Sequence, residues 1–479
     1  MSKEKKIFSS LSWSFSEKIL TDLISTIVTI VLARFLYPKD YGAVALVQVF
    51  INISLIFVDC GMCTSLIQKK NATEEQVSTV FYLNFFLGLL LYIIMFAIAP
   101  YLSSIKDNNE LINLLRVLAI KIPIASIYSI QHAQIQKNMQ FKKFFFSSLF
   151  GTLLSGVVGI AMAINGYGAW SLVISNLIDQ SFDCIILFFT SKWLPKLQIS
   201  IKRSRDILTF GTKILFVELI TRLTSNVRSL IIGFKYNSSD LAFNSKGQKY
   251  PQIISNLTNS VVTRVMFPVL SDLQEEKIKM RTIVKKNIQI TSFFLIPMMI
   301  GFLSIADKMV PILLTDKWNG AIIYIQIYCL ANTTIHISSV CTRVVQACGE
   351  GNRFIKMQTT KIIADYIIIL IALLVYNSPL SIAFSVLFSQ LFDVCIDIFS
   401  SKIIIGYGFH DVVQDIAKTF FASIIMGILV SLIGKSIMSD VISIIIQVIL
   451  GAAIYLVISF IIKNPALDFI IHLLKKEEM

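Results

Sequence analysis

Long apolar segments separated by short polar connections cover almost the whole chain. Fourteen such segments approach the roughly 20 residues that a helix needs to cross a bilayer. The longest connection, at about 235–249, leaves no room for a globular domain outside the membrane. The pattern predicts an all-α polytopic membrane protein with about 14 transmembrane helices. The predicted segments are 11–33, 41–67, 77–100, 111–132, 144–164, 168–190, 207–233, 250–270, 287–305, 320–346, 358–376, 380–402, 415–434 and 441–462.

Composition supports this class. The 479 residues are 55% hydrophobic and only 15% charged, with a mean hydropathy of +0.74. Soluble domains carry about 25% charged residues. A soluble protein is therefore excluded, and the lipid bilayer is the expected surrounding.

Lysine and arginine are concentrated in the connections on one side of the predicted bundle. Basic clusters follow segments four, six and eight, whereas the connections at 165–168 and 376–379 contain neither residue. Loops rich in lysine and arginine stay in the cytoplasm, so both termini are predicted to be cytoplasmic. The formal net charge of +14 follows from this bias and suits an anionic inner leaflet. Nucleic-acid binding is not needed to explain it.

Two parts of the chain repeat each other. Ser175–Asp183 in segment six resembles Ser389–Asp397 in segment twelve, at an offset of 214 positions. Further matches suggest that segments 1–6 and 7–12 are parallel copies of one six-helix bundle. Two such bundles facing each other enclose a central cleft, and rocking them gives alternating access. The predicted divisions are 1–198 and 199–406 for the two bundles, and 407–479 for helices 13–14 and a cytoplasmic tail.

The most informative segment is 210–233, because it is long enough to span the membrane and yet contains four charges. Lys213, Glu218, Arg222 and Arg228 lie within it. A charge at the centre of a spanning helix costs about 2.5–3.5 kcal/mol on insertion scales. Glu218 and Arg222 share a face and can pair, but the other two charges lie on a different arc. The segment is predicted to line a polar cavity or a charged ligand; the alternative is a structural pair with a snorkelling lysine.

Further basic residues interrupt other apolar segments. Lys18 precedes Asp22 by four positions in segment one, and Lys121 lies near the middle of segment four. Arg116, Arg264 and Arg343 complete the set, although Arg264 and Arg343 lie nearer segment ends and can snorkel. A cavity that holds several of these cations favours an anionic substrate, and arginine suits phosphate in particular. The candidate substrate-binding residues are Lys18, Lys121, Lys213, Arg222, Arg228 and Arg264.

Carboxylates also occur inside the apolar segments. Asp179 and Asp183, like Asp393 and Asp397, are four positions apart and share a helix face. Like charges that close raise one pKa, so these pairs are candidate proton or cation sites. The alternative is a salt bridge to a neighbouring lysine or arginine. The candidate ion-coupling residues are Asp22, Glu218, Asp179, Asp183, Asp393 and Asp397.

Several enzyme signatures are missing from the sequence. No G-x-x-x-x-G-K-[ST] motif is present, so ATP hydrolysis by this chain is not expected. The four histidines are scattered, and no exterior loop carries paired carboxylates. We therefore expect no enzyme activity, no catalytic residues, no cofactor and no metal centre.

An ordered set of short motifs resembles those of one transporter family. Ala33–Gly42 reads A-R-F-L-Y-P-K-D-Y-G, which resembles the signature after the first helix of polysaccharide flippases. Further matches, spread over about residues 13–355, are Asp59-Cys-Gly61, Gly166-Tyr-Gly168, Phe267-Pro268 and Ala347-Cys-Gly349. The chain is therefore identified as a member of the polysaccharide flippases of the multidrug/oligosaccharidyl-lipid/polysaccharide (MOP) superfamily, in the fourteen-span branch.

The resemblance implies a function that the basic residues favour independently. It implies translocation of an undecaprenyl-diphosphate-linked oligosaccharide across the bacterial cytoplasmic membrane, with H⁺ or Na⁺ as possible coupling ions and a polysaccharide polymerase as a possible contact. Members of the family often have an aspartate in the seventh helix, where this chain has Asn226-Val-Arg228. Two alternatives stay open: a cation-coupled multidrug antiporter of the same superfamily, and a membrane enzyme of polysaccharide assembly.

Overall fold

A computed structural model describes residues 3–59, 61–69, 72–191, 193–436 and 441–469. Side chains are described in these ranges except at 3–11, 15, 257–265, 268, 435 and 436. The described residues form α-helices and one short 3-10 turn at Asp316–Trp318, and none of them lies in a strand. The predicted all-α class is therefore confirmed.

The helices divide into two compact units, one ending at Ala242 and one beginning at Phe243. The boundary falls inside helix α10 (Ser238–Asp272), while helix α9 (Ile201–Lys235) packs against α2 (Pro38–Asp59), α3 (Met62–Gln68) and α4 (Glu74–Lys106) of the first unit. The boundaries predicted at 198/199 and 406/407 rest on repetition in the sequence, whereas the two compact units are defined by contacts within the structure. The predicted boundaries stay predictions. The helices are α1 Lys3–Phe35, α2 Pro38–Asp59, α3 Met62–Gln68, α4 Glu74–Lys106, α5 Glu110–Leu118, α6 Lys121–Lys137, α7 Phe141–Ile164, α8 Ala169–Ser191, α9 Ile201–Lys235, α10 Ser238–Asp272, α11 Lys277–Leu314, α12 Ala321–Asn332, α13 Ile335–Ala347, α14 Gly351–Val375, α15 Pro379–Ile405, α16 Phe409–Ser436 and α17 Val441–Ile461.

Eleven helical stretches among the described residues are long and apolar enough to cross a membrane. The other three predicted segments, 11–33, 207–233 and 250–270, fall on α1, α9 and α10, which are long helices outside that set. These three helices carry many of the charges that the sequence analysis identified as unusual, such as Lys18, Lys213 and Arg264. The chain is a multi-pass membrane protein, and the count of fourteen spans stays a prediction.

Local sequence signals explain where individual helices start and stop. The Thr73 side chain accepts a hydrogen bond from the Gln76 amide, and the Gln76 side chain accepts one from the Thr73 amide, which forms a capping box before α4. Helix α15 begins with Ser378 as its N-cap and Pro379 in its first turn, where a missing N–H costs nothing. It ends at Gly406, whose φ of +70° suits glycine.

Two membrane segments are broken at matching positions. The fourth segment breaks between α5 and α6, after Leu118 and before Lys121. Pro123 lies in the first turn of α6, and because proline has no N–H, it cannot donate a helical hydrogen bond back across the break. The tenth segment breaks between α12 and α13, after Asn332 and before Ile335. There the Thr333 hydroxyl bonds the Leu330 carbonyl at 2.7 Å and competes with the backbone. Both breaks are related by the offset of 214, which supports the predicted repeat.

The core of the second unit forms around α11, α13 and α15. Val284 and Ile288 of α11 are inaccessible to solvent and cluster with Val340 and Val344 of α13 and with Ile398 of α15. Burial of each such side chain contributes about 1.5–3 kcal/mol. This apolar contact holds α15 against the two neighbouring helices and thereby fixes the position of its carboxylates.

A close helix contact explains one glycine of the family motif. Gly42 in the first turn of α2 lies against the backbone of Ser238, at the start of α10. A Cβ atom at this position would overlap the Ser238 carbonyl oxygen. The final glycine of the Ala33–Gly42 signature is therefore required by packing within the first unit.

We predict that Gly42→Ala destabilises the protein by about 1–3 kcal/mol, because an added methyl group overpacks this contact. The matched control is Gly301→Ala in α11, where the nearest atom to a new Cβ is the Met426 methyl at 3.6 Å. The control is expected to keep or raise stability by about 0.5–1 kcal/mol, since alanine suits a helix better than glycine. Thermal melting of the detergent-purified variants measures both; equal melting temperatures would contradict the packing account.

Candidate functional site

Lys121 lies at the break between α5 and α6, in the interior of the first unit. The half-buried side chain extends toward α8, where its Nζ atom donates a hydrogen bond to Asn176 Oδ1 at 3.4 Å. The ammonium group interacts electrostatically with Asp179 and with Asp59. The structure thus brings together two predicted site residues, Lys121 and Asp179, and adds Asp59, which the sequence analysis treated only as part of a motif.

A polar cavity of about 230 Å³ adjoins this cluster. Gln180 connects the two, because its Nε2 atom donates to the Lys121 carbonyl at 3.2 Å and to Tyr128 Oη at 3.3 Å. Asp59 is accessible to solvent, as is His132, whose ring stacks on Phe144 with 4.3 Å between centroids. The cavity is therefore open to water or a polar ligand. Its lining includes Asp59, Cys63, Thr64, Tyr128, Ser129, His132 and Gln136.

Asp183 lies one turn beyond Asp179 on α8. One of its carboxylate oxygens, Oδ1, is buried and has no hydrogen-bond partner among the described residues. Its neighbours are Ser147 of α7 and Glu17 of α1, and the latter is another acid. Asp179, in contrast, accepts a hydrogen bond from the Thr152 hydroxyl at 3.2 Å. The predicted carboxylate pair therefore contains one satisfied acid and one incompletely satisfied acid.

The second unit holds a complete ion pair at the corresponding place. Asp397 has no solvent-accessible side-chain surface, and Lys361 Nζ of α14 lies 2.6 Å from both of its oxygens. The Ser338 hydroxyl also donates to this carboxylate, as does the Thr342 hydroxyl at 3.2 Å. Asp397 thus has the lysine partner that the sequence analysis considered as the alternative to an ion site. Asp393, one turn earlier, is half-buried.

The repeat offset of 214 relates these two carboxylates. It pairs Asp183 with Asp397 and, on the preceding helix, Ser147 with Lys361. Ser147 is inaccessible to solvent. Positions related by the offset of 214 therefore carry a serine on α7 and a lysine on α14. Lys361 supplies Asp397 with a cation, whereas Ser147 offers Asp183 a neutral hydroxyl.

The charges of α1 and α9 are mainly exposed. Lys18 and Asp22 form the expected pair at 3.2 Å, and Arg222 Nε donates to Glu218 Oε1 at 2.8 Å. Lys213 is exposed. The other two cations of the predicted set are Arg228, which is half-buried, and Arg264, whose side chain lies outside the described residues.

An apolar groove of about 410 Å³ marks the outside of the second unit. It runs between α11, α16 and α17, and Phe294, Met298 and Leu456 are exposed along it. Gln447 is the one amide in the groove, and its nitrogen donates to the Val430 carbonyl at 3.0 Å. The groove therefore offers a hydrocarbon surface rather than polar recognition.

The sequence matches the model of a known protein family. Residues 31–323 match the model of a family described as polysaccharide biosynthesis protein. The chain belongs to this family. The resemblance stated from the sequence motifs is thereby confirmed.

Three bacterial proteins have sequences similar to that of this chain over about two thirds of its length. The succinoglycan biosynthesis transport protein ExoT of Rhizobium meliloti is 22% identical over 72% of this chain and 70% of its own length. The teichuronic acid biosynthesis protein TuaB of Bacillus subtilis is 26% identical over 66% of each chain. The lipopolysaccharide biosynthesis protein WzxC of Escherichia coli is 21% identical over 69% of this chain and 68% of its own length.

Solved structures show the same fold at low sequence identity. The lipid II flippase MurJ, in an inward closed conformation, superposes with a TM-score of 0.76 at 15% identity, covering 96% of this chain and all of MurJ. An inward-facing MATE multidrug resistance transporter of the MOP superfamily gives 0.63 at 13% identity, covering 81% and 98%. The fold is therefore that of MOP transporters.

Several residues of the polar clusters were not identified from the sequence. Lys361 and Glu17 lie near segment ends, where a long side chain can reach water and gives no signal of its own. Asp59 was visible only as part of a motif. The offset of 214 pairs Lys361 with Ser147, but the burial that makes this pair informative is seen only in the structure.

We predict that Lys361→Met destabilises the protein by about 3–5 kcal/mol, because it leaves the buried Asp397 carboxylate without a cation. Lys18→Met is the matched control, since the Lys18–Asp22 pair is largely exposed and such pairs contribute about 0–1 kcal/mol. Replacing both members, Lys361→Met with Asp397→Leu, should restore most of the stability. Chemical unfolding in detergent compares the variants, and a loss equal to that of the control would show that the pair is not structural.

Proposed function

We propose that this protein flips undecaprenyl-diphosphate-linked oligosaccharides across the bacterial cytoplasmic membrane during the synthesis of a surface polysaccharide. The observation that carries the proposal is the charge of α9. Between positions 213 and 228, this 35-residue helix exposes Lys213 and Arg222 and holds the half-buried Arg228, and Glu218 is the acid in that interval. Exposed cations in a spanning helix are expensive unless they face water or an anion. A diphosphate is such an anion.

Family membership supports a saccharide-bearing substrate. ExoT is a succinoglycan biosynthesis transport protein, TuaB a teichuronic acid biosynthesis protein and WzxC a lipopolysaccharide biosynthesis protein. MurJ, which has the same fold, is a flippase for a lipid. Together they favour a transporter of lipid-linked saccharide units over a membrane enzyme.

The proposed cycle uses two six-helix bundles, at 1–198 and 199–406, as the moving parts. An inward-open cleft admits the diphosphate and sugar, and basic residues bind the diphosphate. Rocking of the bundles then exposes the head group on the other side, with the polyprenyl chain remaining in lipid. The apolar groove along α11, α16 and α17 is a candidate surface for that chain. The proposed diphosphate ligands are Lys18, Lys121, Lys213, Arg222, Arg228 and Arg264.

Cation coupling is a further part of the proposal. Asp22, Glu218, Asp179, Asp183, Asp393 and Asp397 are the candidate titrating residues, with H⁺ or Na⁺ as the ion. The contacts rank them, because Asp397 already has Lys361 and Glu218 already has Arg222. Asp183 has one buried oxygen without a partner, so it is the strongest candidate.

The proposed setting follows from the charge bias of the loops. Both termini lie in the cytoplasm, and the protein lies in the cytoplasmic membrane beside the polymerase that consumes its product. Contact with that polymerase is part of the proposal.

A cation-coupled multidrug antiporter is the second candidate. The acids of the first unit favour it, since Asp59, Asp179, Asp183 and Glu17 surround one polar region that contains Lys121. A cationic drug would suit such a surrounding. Export of cationic dyes from intact cells would support this function against the first.

We predict that Arg222→Ala reduces flipping at least tenfold, because a charge-assisted bond to phosphate contributes about 1.5–3 kcal/mol. Sealed vesicles receive labelled undecaprenyl-diphosphate oligosaccharide in the leaflet corresponding to the cytoplasmic one. An impermeant sugar-modifying reagent then detects its arrival on the other side.

The matched control for this assay is Arg205→Ala, which removes an exposed arginine from the predicted cytoplasmic end of the same helix. Flipping by this variant should equal that of the wild type. Failure of the wild-type protein to move the lipid, together with export of cationic dyes, would replace the flippase by the antiporter.

We predict that Asp183→Asn removes the dependence of flipping on the H⁺ or Na⁺ gradient, because the amide keeps the shape of the side chain but cannot bind a cation by charge. Asp206→Asn, an exposed position on α9 near Lys69, is the control. Flipping is measured with and without each gradient, and Asp22→Asn and Glu218→Gln are tested alongside. Unchanged gradient dependence in Asp183→Asn, Asp22→Asn and Glu218→Gln would disprove coupling through these acids.

A further inference from the structure

The second unit contains a cavity of about 420 Å³ that the proposed transport path does not use. It lies where α10 and α13 end and α14 begins, on the side that the charge bias predicts to be cytoplasmic. Arg343 and Gln346 of α13 line it, together with Phe267 and Phe354. Phe267 and the connection after Ala347 belong to two of the family motifs, so separate motifs converge on one cavity.

Arg343 is held in a defined orientation with unused hydrogen-bonding capacity. Its Nη1 atom donates to Gln346 Oε1 at 2.6 Å. Its Nε atom is buried and has no partner among the described residues. Because the Gln346 oxygen is engaged, the donors of its amide nitrogen are left for another acceptor. Both side chains line the cavity, and the donors of the Gln346 amide and the remaining guanidinium N–H groups of Arg343 are available to an acceptor there.

The glycines that line the cavity have free space beside their backbone. A Cβ added at Gly349 or at Gly351 would meet no atom within 4 Å. Gly351 is the first residue of α14, so the free N–H groups and the positive end of the helix dipole lie at the cavity. Lys277 adds a second cation close by, with its Nζ atom 3.5 Å from Cys348 Sγ. Glu350, which is exposed, is the acidic residue in the lining.

The first unit also has a cavity, lined by residues at the equivalent positions of the repeat. The two cavities differ in the side chains at these positions. The offset of 214 pairs Arg343 with Ser129 and Gln346 with His132, both of which line the 230 Å³ cavity of the first unit. Ser129 Oγ accepts a hydrogen bond from Asn84 at 3.3 Å. The fold thus accommodates a serine where the second unit has an arginine, so packing does not require Arg343.

We propose that the cavity at the end of α13 binds a phosphoryl group carried by a membrane lipid. Arginine and an amide offer the fork-like donors that phosphate accepts best. Phe267, which is 42% exposed, and the half-buried Phe354 give apolar surface beside those donors. Basic pockets between membrane helices on the cytoplasmic side are suited to anionic lipid head groups. The proposal that a lipid phosphate binds here does not depend on the proposed flippase function. The further statement that this lipid is the transported substrate rests on the proposed function.

Two variants test the site in independent ways. Arg343→Gln removes the charge and the fork, in a position where the first unit already tolerates a small residue. Gly351→Tyr keeps Arg343 and places a ring in the cavity, at a position where a new Cβ meets open space. Lys356→Gln is the control, because Lys356 is an exposed cation on α14 that does not line the cavity.

Native mass spectrometry of the purified full chain measures binding of three probes: undecaprenyl diphosphate, phosphatidylglycerol and inorganic pyrophosphate. We expect both cavity variants to weaken binding of at least one lipid about tenfold or more, and Lys356→Gln to change it less than about twofold. A preference for undecaprenyl diphosphate identifies a substrate site, and a preference for phosphatidylglycerol a site for bulk anionic lipid. Equal binding by wild type and both cavity variants overturns the proposal, as does pyrophosphate binding as tightly as either lipid.

The same proteins are then assayed for flipping in sealed vesicles. If the wild type binds the lipid through Arg343 and yet does not flip it, the site stands and the proposed function fails. If the wild type flips the lipid and Arg343→Gln binds it as well as the wild type does, the function stands and this site fails.

Discussion

A charge within the hydrocarbon region must be matched by a partner, by water or by a ligand, and the arrangement of this protein depends on that constraint. The Lys361–Asp397 pair meets it completely inside the second unit. Lys121 meets it with two acids, Asp59 and Asp179, beside an open polar cavity. Helix α9 meets it only in part, because Arg222 has Glu218 while Lys213 is exposed. The degree of matching therefore separates charges that are fully paired within the protein from charges that remain open to water or a ligand.

The charges also differ in sign between regions. Acids surround Lys121 in the interior of the first unit, whereas basic residues outnumber acidic ones on α9. A transporter that recognises a diphosphate and responds to a cation needs both kinds of surrounding, kept apart so that they do not neutralise each other. This separation is consistent with substrate recognition on some helices and ion coupling on others.

Much of the fold was predictable because hydropathy, short connections and loop charge are properties of single segments. The all-α class followed from them. The helix breaks before Lys121 and Ile335 were not predicted, because the apolar pattern continues across them, although the offset of 214 relates the two breaks. The site was less predictable, since partners are set by packing between helices far apart in sequence. Nothing near Asp397 in the sequence indicates Lys361, which lies 36 positions earlier. Equally, the exposed pairs Lys18–Asp22 and Glu218–Arg222 were predictable because four residues make one helical turn.

The exchange of Ser147 for Lys361 between the two repeat positions has a consequence for how each half senses its surroundings. Lys361 is a counter-ion attached to the chain, so its effective concentration at Asp397 exceeds that of any dissolved ion and does not change with the medium. Lys361 therefore stays beside Asp397 whatever salt surrounds the protein. The first unit has a serine at that place, so the side chain facing Asp183 there is a neutral hydroxyl. Of two positions related by the offset of 214, one thus carries its own counter-ion and the other does not.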